Sequence, residues 1–308
     1  MGYELRTNIV EPYRNTFSYL VERFGERPAT RYQEASFHVQ PVENFHYRPT
    51  WDADREIYDA DYTELRLTDP YSYTDPRQYY YTPFVANAAE RYESFGQTLK
   101  YIEDRRLLDK LPENWQIVCT GFVVPLRHYE SGAQLISSNA ARLAYGTTVA
   151  QPIAFASMDR IGNAQLHSLI GLALDGGGGG DALEEAKKNW LYAPPLQGIR
   201  RLVEQLLIEP DWAVGLIGLD MVDQLLYPEQ IDPLDDRALF RGATAYSLLA
   251  RHFNDWYGGH RKWLDALVKA WIKDTGPGEA NAKVLAGYVD RWYPQAVAVA
   301  REFAAGLA

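Results

Sequence analysis

Apolar residues recur at intervals of three and four positions through most of the chain after Pro83. This spacing is typical of amphipathic helices, whose buried face repeats about every 3.6 residues. It predicts one helix after Pro83, a helical segment from Pro112 through Ala144 that contains Pro125, and a third from Thr147 to about Leu174. The apolar face of the first helix holds Val85, Ala89, Tyr92, Phe95, Leu99 and Ile102.

Two later stretches carry tryptophans at helical spacing, and such residues belong to a core or an interface far more often than to a cofactor site. Their shared faces hold Trp263, Leu267 and Trp271 in one stretch and Leu285, Tyr288 and Trp292 in the other. The sequence has no strand-like alternation of useful length and no repeat at a fixed period. We therefore expect a nearly all-helical fold.

Residues 1–81 differ from the rest of the chain in composition. They are rich in Tyr, Phe, Pro and Asp, and their prolines interrupt any long helix. Many aromatic residues without a core pattern of their own indicate a segment that packs on another surface. We expect residues 1–81 to form an extended arm in a large interface and residues 82–308 to form the helical domain. Packing of the arm on the chain's own body is at least as plausible.

The run DGGGGGDALEEAKKNW separates two predicted helices. Its five glycines are expected to end the first helix. Asp181 is expected to cap the second, with Glu184 at the capping-box position. No Gly-Lys-Ser/Thr follows the glycines, so a phosphate-binding loop is not indicated.

Composition and charge exclude several classes of function. With 308 residues, 46% hydrophobic and 23% charged, the chain has the composition of a globular protein with a sizeable core. A net charge of -10 argues against nucleic-acid binding, which needs concentrated Lys and Arg. The sequence has no signal-peptide pattern and no run of about eighteen apolar residues, so a cytoplasmic location without a membrane partner is expected. The single cysteine, Cys119, excludes an internal disulfide and a thiolate zinc site.

The histidines do not assemble an iron site by spacing. Di-iron sites in helical bundles need a Glu-x-x-His pair on each of two helices and a glutamate from each of two others. Only His46 has a glutamate, Glu43, three residues earlier, and this pair lies in the proline-bounded arm. Asp220 and Asp223 could pair as a general acid and base, but two acids on one helix usually form a solvated face, which is the interpretation we prefer.

The octet MDRIGNAQ, residues 158–165, resembles a ligand helix of the catalytic alpha subunits of bacterial multicomponent monooxygenases, whose pattern is Met-Asp-Glu-x-Arg-His-x-Gln. Here Arg160 stands where that family has a ligand glutamate, and Asn163 stands where it has a ligand histidine. Glu130 lies thirty residues before Arg160, near the position of a further ligand glutamate in the family. FNDWYGGHRKW resembles the second ligand helix more weakly. There Trp256 and Gly259 replace Glu and His, unless the alignment slips by one residue and His260 is the match.

A closer resemblance covers nearly the whole chain. The chain is similar to the beta subunits of the hydroxylase component of multicomponent phenol hydroxylases, relatives of the toluene and methane monooxygenases. The segments that carry it are RYQEAS, NFHYRP, TDPRQYYY, PLRH, MDR, IGLALDGG and DWYG. The chain departs from this family in its penta-glycine loop, in APPLQGIRR and in its short C-terminus.

This resemblance implies a ferritin-like helical bundle that holds no metal or other cofactor and no catalytic residue. It also implies assembly with alpha and gamma subunits as a dimer of heterotrimers. The di-iron centre of the alpha subunit would insert one atom of dioxygen into an aromatic ring such as phenol. NADH would supply electrons through a flavin and iron-sulfur reductase, and a small effector protein would take part. Other possibilities are a sister complex for another small hydrocarbon or a sulfide, and a free-standing helical adaptor. A solitary di-iron oxidase would need ligands that the chain lacks.

The resemblance also implies a vestigial metal site, at Glu130, Arg160, Asn163, Trp256 and Gly259. A carboxylate buried without iron is costly unless another cation replaces the metal. We therefore predict that Arg160 pairs with Glu130, with Asn163 or a water molecule completing the polar set. We also predict that Trp256 fills the volume of the second ligand pair.

Overall fold

The computed structural model describes residues 9–10, 17–41, 48–177 and 179–307, with side chains throughout these ranges except at 9–10 and 229–233. Within them the only sheet is an antiparallel ladder of two short strands, β1 (Ile9–Val10) and β2 (Ala29–Thr30). The remaining regular structure is helical, as predicted. No helix in the described part of the chain is long and apolar enough to cross a bilayer.

Within the described residues, two short α-helices lie in the arm and nine more α-helices follow it. In the arm these are α1 (Ser18–Phe24) and α2 (Arg31–Ser36). They are followed by α3 (Tyr81–Asp104), α4 (Glu113–Val118), α5 (Leu126–Leu143), α6 (Thr147–Leu174), α7 (Asp181–Tyr192), α8 (Pro194–Leu207), α9 (Trp212–Phe240), α10 (Thr244–Lys273) and α11 (Gly278–Gly306).

Four of these helices form the central bundle. Helix α5 packs along α6 and against α9, while α10 packs on α9 and also contacts α6. Helices α8 and α11 cover one side of this bundle, and α3 lies against α6 and α10. The tryptophan faces of α10 and α11 are buried as their spacing predicts, and Trp263 and Leu267 have no exposed surface.

The segment predicted from Pro112 through Ala144 is broken near its middle. Helix α4 continues into a π-helical turn, Cys119–Val123, and α5 begins only after Pro125. Proline has no N–H to donate and clashes with the preceding turn, so a helix begins there more readily than it continues. Cys119 is buried in this turn, and burial raises the pKa of its thiol to about 12. The thiol is therefore inert at neutral pH.

The capping prediction for the glycine run is wrong. Gly180, with φ of 92°, precedes the first helical residue of α7, Asp181, which is therefore inside the helix. Asp175 instead bridges the glycine loop, because its carboxylate accepts hydrogen bonds from the backbone N–H groups of Gly180 and Ala182. The helix is thus capped by an acid six residues before its start, a distance that local sequence rules do not cover.

The described part of the arm packs on the chain's own body. The Tyr73 hydroxyl donates to the Trp263 carbonyl oxygen at 3.0 Å, and the Asn281 side chain bonds the backbone of Arg66 in both directions. Gln40 reaches the backbone at the end of α5. The division of the chain at residue 81 and the use of the arm as an interface between chains stay predictions. Glu43 and His46 lie outside the described residues.

Candidate functional site

A buried ion pair joins α5 to α6 at the centre of the bundle. Neither Arg160 nor Glu130 has exposed surface. The Arg160 Nη1 group donates to Glu130 Oε1 at 3.0 Å, so the predicted ion pair is confirmed. Asn163, one turn after Arg160, donates from Nδ2 to the other oxygen of Glu130 at 3.3 Å. The two helices are thus cross-linked by charge in the place where their apolar faces meet.

Asp223 on α9 completes the ion pair from the opposite side. Arg160 donates to it through both terminal nitrogens, from Nη1 to Oδ1 at 3.1 Å and from Nη2 to Oδ2. This two-point geometry is the strongest that a guanidinium makes with a carboxylate. The preferred interpretation of Asp220 and Asp223 as a solvated face is therefore wrong. Asp220 is also buried, where it pairs with Arg261.

Two tyrosine hydroxyls satisfy the remaining lone pairs of the carboxylates. Tyr129 donates to Asp223 at 2.6 Å, and Tyr227 donates to Glu130. Both tyrosines are buried, and burial raises the pKa of each phenol well above its ordinary value. They are therefore protonated and act as donors at neutral pH. Each carboxylate has several donors, as a buried charge requires.

Trp256 contacts the cluster from α10, the fourth helix of the bundle. Its indole is 3% exposed, and the Arg160 Cζ atom lies 4.8 Å from the ring centre, within the range of a cation–π contact. Tyr227 packs edge-on to the same indole at 5.3 Å between ring centres. The aromatic ring thus occupies a position where it contacts the guanidinium, as expected of a residue that fills volume beside it.

Gly259 and Asp255 lie outside the cluster. A side chain at Gly259 would project into open space, and the Asp255 side chain is mostly exposed. His260 instead is buried, with its ring centre 5.0 Å from that of Trp256. Burial lowers the pKa of His260 well below its ordinary value, and the positive charge of Arg160 lowers it further. His260, and not Gly259, thus lies beside Trp256, while the alignment of this helix with the family's second ligand helix stays a prediction.

The cluster contains one positively charged side chain and two acidic ones. Burial lowers the pKa of Arg160, but Asp223 and Glu130 more than offset this, so the guanidinium stays protonated. Burial raises the pKa of Glu130, and Arg160 opposes that rise. One cation thus serves two carboxylates, and the cluster carries a charge of about minus one when both are ionised. The geometry suits a structural cross-link between three helices.

The arrangement of these residues fits the vestigial metal site that the resemblance implies, and that site stays a prediction. A helical di-iron site takes one carboxylate from each of two helices and a pair at i, i+3 from each of two others. Here α5 and α9 supply the single carboxylates, Glu130 and Asp223, and Arg160 and Asn163 occupy a pair position on α6. The sequence indicates Asp223 as a candidate acid but does not predict its pairing with Arg160. The signal was the position of Asp223, 33 residues before Trp256, much as Glu130 precedes Arg160 by thirty.

These residues do not fit an iron centre. Among the described residues, no group of three or more His, Cys, Asp or Glu side chains is placed to hold a metal ion. Arg160 also contacts both carboxylates at hydrogen-bonding distance, in the space between them. Its positive charge would repel a metal cation there.

Comparison with known proteins gives consistent matches over most of the chain. The family described as methane/phenol/alkene hydroxylase matches residues 48–275. The chain is 39% identical over 297 residues to the phenol 2-monooxygenase oxygenase component DmpL of Pseudomonas sp. (strain CF600), covering 96% of this chain and 88% of that protein. It is 25% identical over 232 residues to the toluene-4-monooxygenase hydroxylase component subunit beta of Ectopseudomonas mendocina, covering 73% of this chain and 68% of that protein.

A solved structure shows the same fold. A chain of the xenon-pressurized phenol hydroxylase from Pseudomonas sp. OX1 superimposes with a TM-score of 0.90 at 37% identity, covering 98% of this chain and 91% of that one. The predicted ferritin-like helical bundle is confirmed by this likeness. The chain belongs to the methane/phenol/alkene hydroxylase family and is similar to its phenol hydroxylase members.

Proposed function

We propose that this chain is the non-catalytic beta subunit of the hydroxylase component of a multicomponent monooxygenase that acts on phenol or a related aromatic. Its similarity to oxygenase components of phenol 2-monooxygenases supports membership of such a component. The observation that carries the non-catalytic role is the position of Arg160 between Glu130 and Asp223. With a guanidinium in the ligand position, the described bundle lacks the full set of donors that a di-iron centre needs.

The cluster has a structural task in this account. Arg160 joins α6 to α5 through Glu130 and to α9 through Asp223, so rotation of α6 about its axis would break both ion pairs. Breaking a buried pair leaves an uncompensated charge and is strongly unfavourable. The ion pairs therefore fix one rotation and one register of α6 among its neighbours. A structural subunit needs a fixed rotation and register of its helices, because its surface must match the other chains of the assembly.

Catalysis then belongs to another chain of the assembly. An alpha subunit holds a di-iron centre that supplies dioxygen activation, and the complex is a dimer of heterotrimers with a gamma subunit. NADH-derived electrons arrive through a flavin and iron-sulfur reductase, an effector protein takes part, and the system works in the cytoplasm. A complex for another small hydrocarbon or a sulfide is the alternative substrate assignment, since relatives include toluene, methane and propane monooxygenase subunits.

The experiment compares the isolated chain with the chain co-expressed with the iron-binding hydroxylase subunit of the same host, recognised by its own two Glu-x-x-His motifs. We expect no bound iron and no phenol turnover for the isolated chain. The co-purified complex should hydroxylate phenol when its reductase and effector are added. Binding of about two irons by the isolated chain would contradict the proposal. Stable folding with no affinity for that subunit would indicate a free-standing adaptor instead.

A further inference from the structure

One face of α6 is open along most of its length. Between residues 151 and 172 the accessible positions lie three or four residues apart, except for the adjacent pair Ser168 and Leu169, and all remaining positions are buried. We define the α6 seam by these accessible residues: Ala154, Met158, Ile161, Gln165, Ser168, Leu169 and Leu172. Gln151 continues the same line but is covered, because its side chain accepts a hydrogen bond from Ser36 of the arm at 2.7 Å.

The spacing of the α6 seam is that of a helix-packing surface. Positions 154, 158, 161, 165, 168 and 172 alternate intervals of four and three, as the a and d positions of a heptad repeat do. From Ala154 to Leu172 the seam measures about 27 Å, at about 1.5 Å per residue. A helix of about eighteen residues would match it. This surface therefore has the length and the period of one helix, and not those of a small-molecule site.

The α6 seam is uncharged and mostly apolar, with Gln165 and Ser168 as its polar members. Met158 is 49% exposed and Ile161 is 45% exposed, and no seam residue carries a charge. Helix α6 is thus largely apolar on its outer face as well as its inner one, which is the pattern of a helix buried on all sides. Within the described residues, no hydrogen bond or ion pair joins the seam to another element of the chain.

The occupant must be uncharged along the seam and must come from another chain. A second copy of this chain is disfavoured, because two subunits that each carry a net charge of -10 would repel one another. Several relatives are described as a beta chain, a beta subunit or a small subunit, so a larger partner chain is expected. Arg160 and Asn163 lie on the inner face of α6 directly behind the seam, so the buried ion pairs fix the rotation that presents it.

We infer that the α6 seam is the docking site for an apolar helix of the large, iron-binding hydroxylase subunit. This assignment rests on the proposed function and adds the contact surface to it. A helix docked on the seam would bury only a narrow strip of surface, whereas obligate interfaces bury more than about 2,000 Å² in total. It therefore forms the apolar centre of a wider contact, where substitutions have their largest effects.

The test measures binding of the iron-binding hydroxylase subunit of the same host to this chain and to three variants. Ile161→Lys and Leu172→Lys place an ammonium in the seam, and Ile117→Lys on α4, where the side chain is 59% exposed, is the matched control. We expect the dissociation constant to rise at least about tenfold for each seam variant and to stay within about twofold for the control. All three sites are exposed, so the free variants should fold as the unaltered chain does. Thermal unfolding of each free variant checks this.

A second measurement identifies the neighbour of the seam without a destabilising change. With p-benzoylphenylalanine in place of Gln165, irradiation should cross-link this chain to a helix of the large subunit. If the subunit binds but both lysine variants bind normally and no cross-link forms at 165, the seam is not the docking site and the proposed function stands. A cross-link to a second copy of this chain would overturn the assignment of the large subunit as the partner that covers the seam. If the unaltered chain does not bind the subunit at all, the proposed function fails together with this inference.

Discussion

The Arg160 Nη1 atom lies 3.0 Å from Glu130 Oε1 in the centre of a four-helix bundle, and neither side chain is exposed to solvent. The same nitrogen lies 3.1 Å from Asp223 Oδ1. Helix α6 thus makes polar contacts with two neighbouring helices through Arg160. Its inner face holds the bundle in register, and its outer face presents the α6 seam.

Trp256 contributes to stability through burial. Replacing it with alanine removes an enclosed indole and the aromatic face over Arg160, so we expect Trp256→Ala to lower the free energy of unfolding by about 3–5 kcal/mol. Trp51→Ala is the matched control because its indole is 59% exposed, and its effect should stay within about 0.5 kcal/mol. Urea unfolding followed by circular dichroism measures both. Equal effects of the two substitutions would show that the indole of Trp256 is not enclosed.

Asp175 is expected to stabilise the start of α7. Asp175→Ala removes the acceptor for the N–H groups of Gly180 and Ala182 and should cost about 1 kcal/mol, as the loss of a helix cap does. Asp181→Ala tests the cap that the sequence predicted, and it should cost less than about 0.5 kcal/mol. Thermal denaturation of both variants ranks them. The reverse order would restore Asp181 as the cap.

His167 makes the fold sensitive to acid. Burial lowers the pKa of this imidazole from 6.5 to about 3, so the folded protein holds it neutral while the unfolded chain takes up a proton below pH 6.5. Its contribution to stability is therefore complete above pH 6.5 and is lost as the pH falls from 6.5 towards 3. Between pH 7 and pH 5 this loss amounts to about 2 kcal/mol, at about 1.36 kcal/mol for each pH unit below 6.5.

The variant His167→Phe should remove that part of the acid sensitivity. The imidazole stacks on Phe253 and borders a cavity of about 20 Å³, so a phenyl ring can take its place. We expect the difference in unfolding free energy between pH 7 and pH 5 to shrink by about 2 kcal/mol in the variant. Chemical denaturation at the two pH values measures it. An unchanged difference would mean that His167 is accessible to protons in the folded state.

The sequence predicts the helices well because their apolar period is local. The start of α6 at Thr147 and its end at Leu174 agree with the prediction. The Glu130–Arg160 pair could also be found, since the family resemblance places the two residues on adjacent helices. Asp223 could not be found from periodicity, because α9 is apolar on most of its faces and an acid there looks solvated unless its partner, 63 residues earlier, is known. Tertiary partners of single charges are not encoded in the local pattern.

The cap of α7 and the burial of His260 could not be predicted from the sequence, and the physical reason is the same for both. Asp175 reaches Ala182 only because the glycine loop folds back with left-handed residues, and that path is not fixed by residue type alone. The choice between Gly259 and His260 depends on the rotation of α10, which one residue changes by about 100°. Packing decides both, and packing is a property of the whole fold.

The unfolding free energy of Arg160→Met at pH 7 shows whether the Arg160 guanidinium serves as the cation between two carboxylates. Removing the cation leaves Glu130 and Asp223 buried and unpaired, so we predict a loss of about 3–5 kcal/mol. The triple variant with Glu130→Gln and Asp223→Asn as well removes the charges together and should recover most of that loss. If Arg160→Met is as stable as the unaltered chain, or if the triple variant recovers nothing, the guanidinium does not balance the charge of these carboxylates.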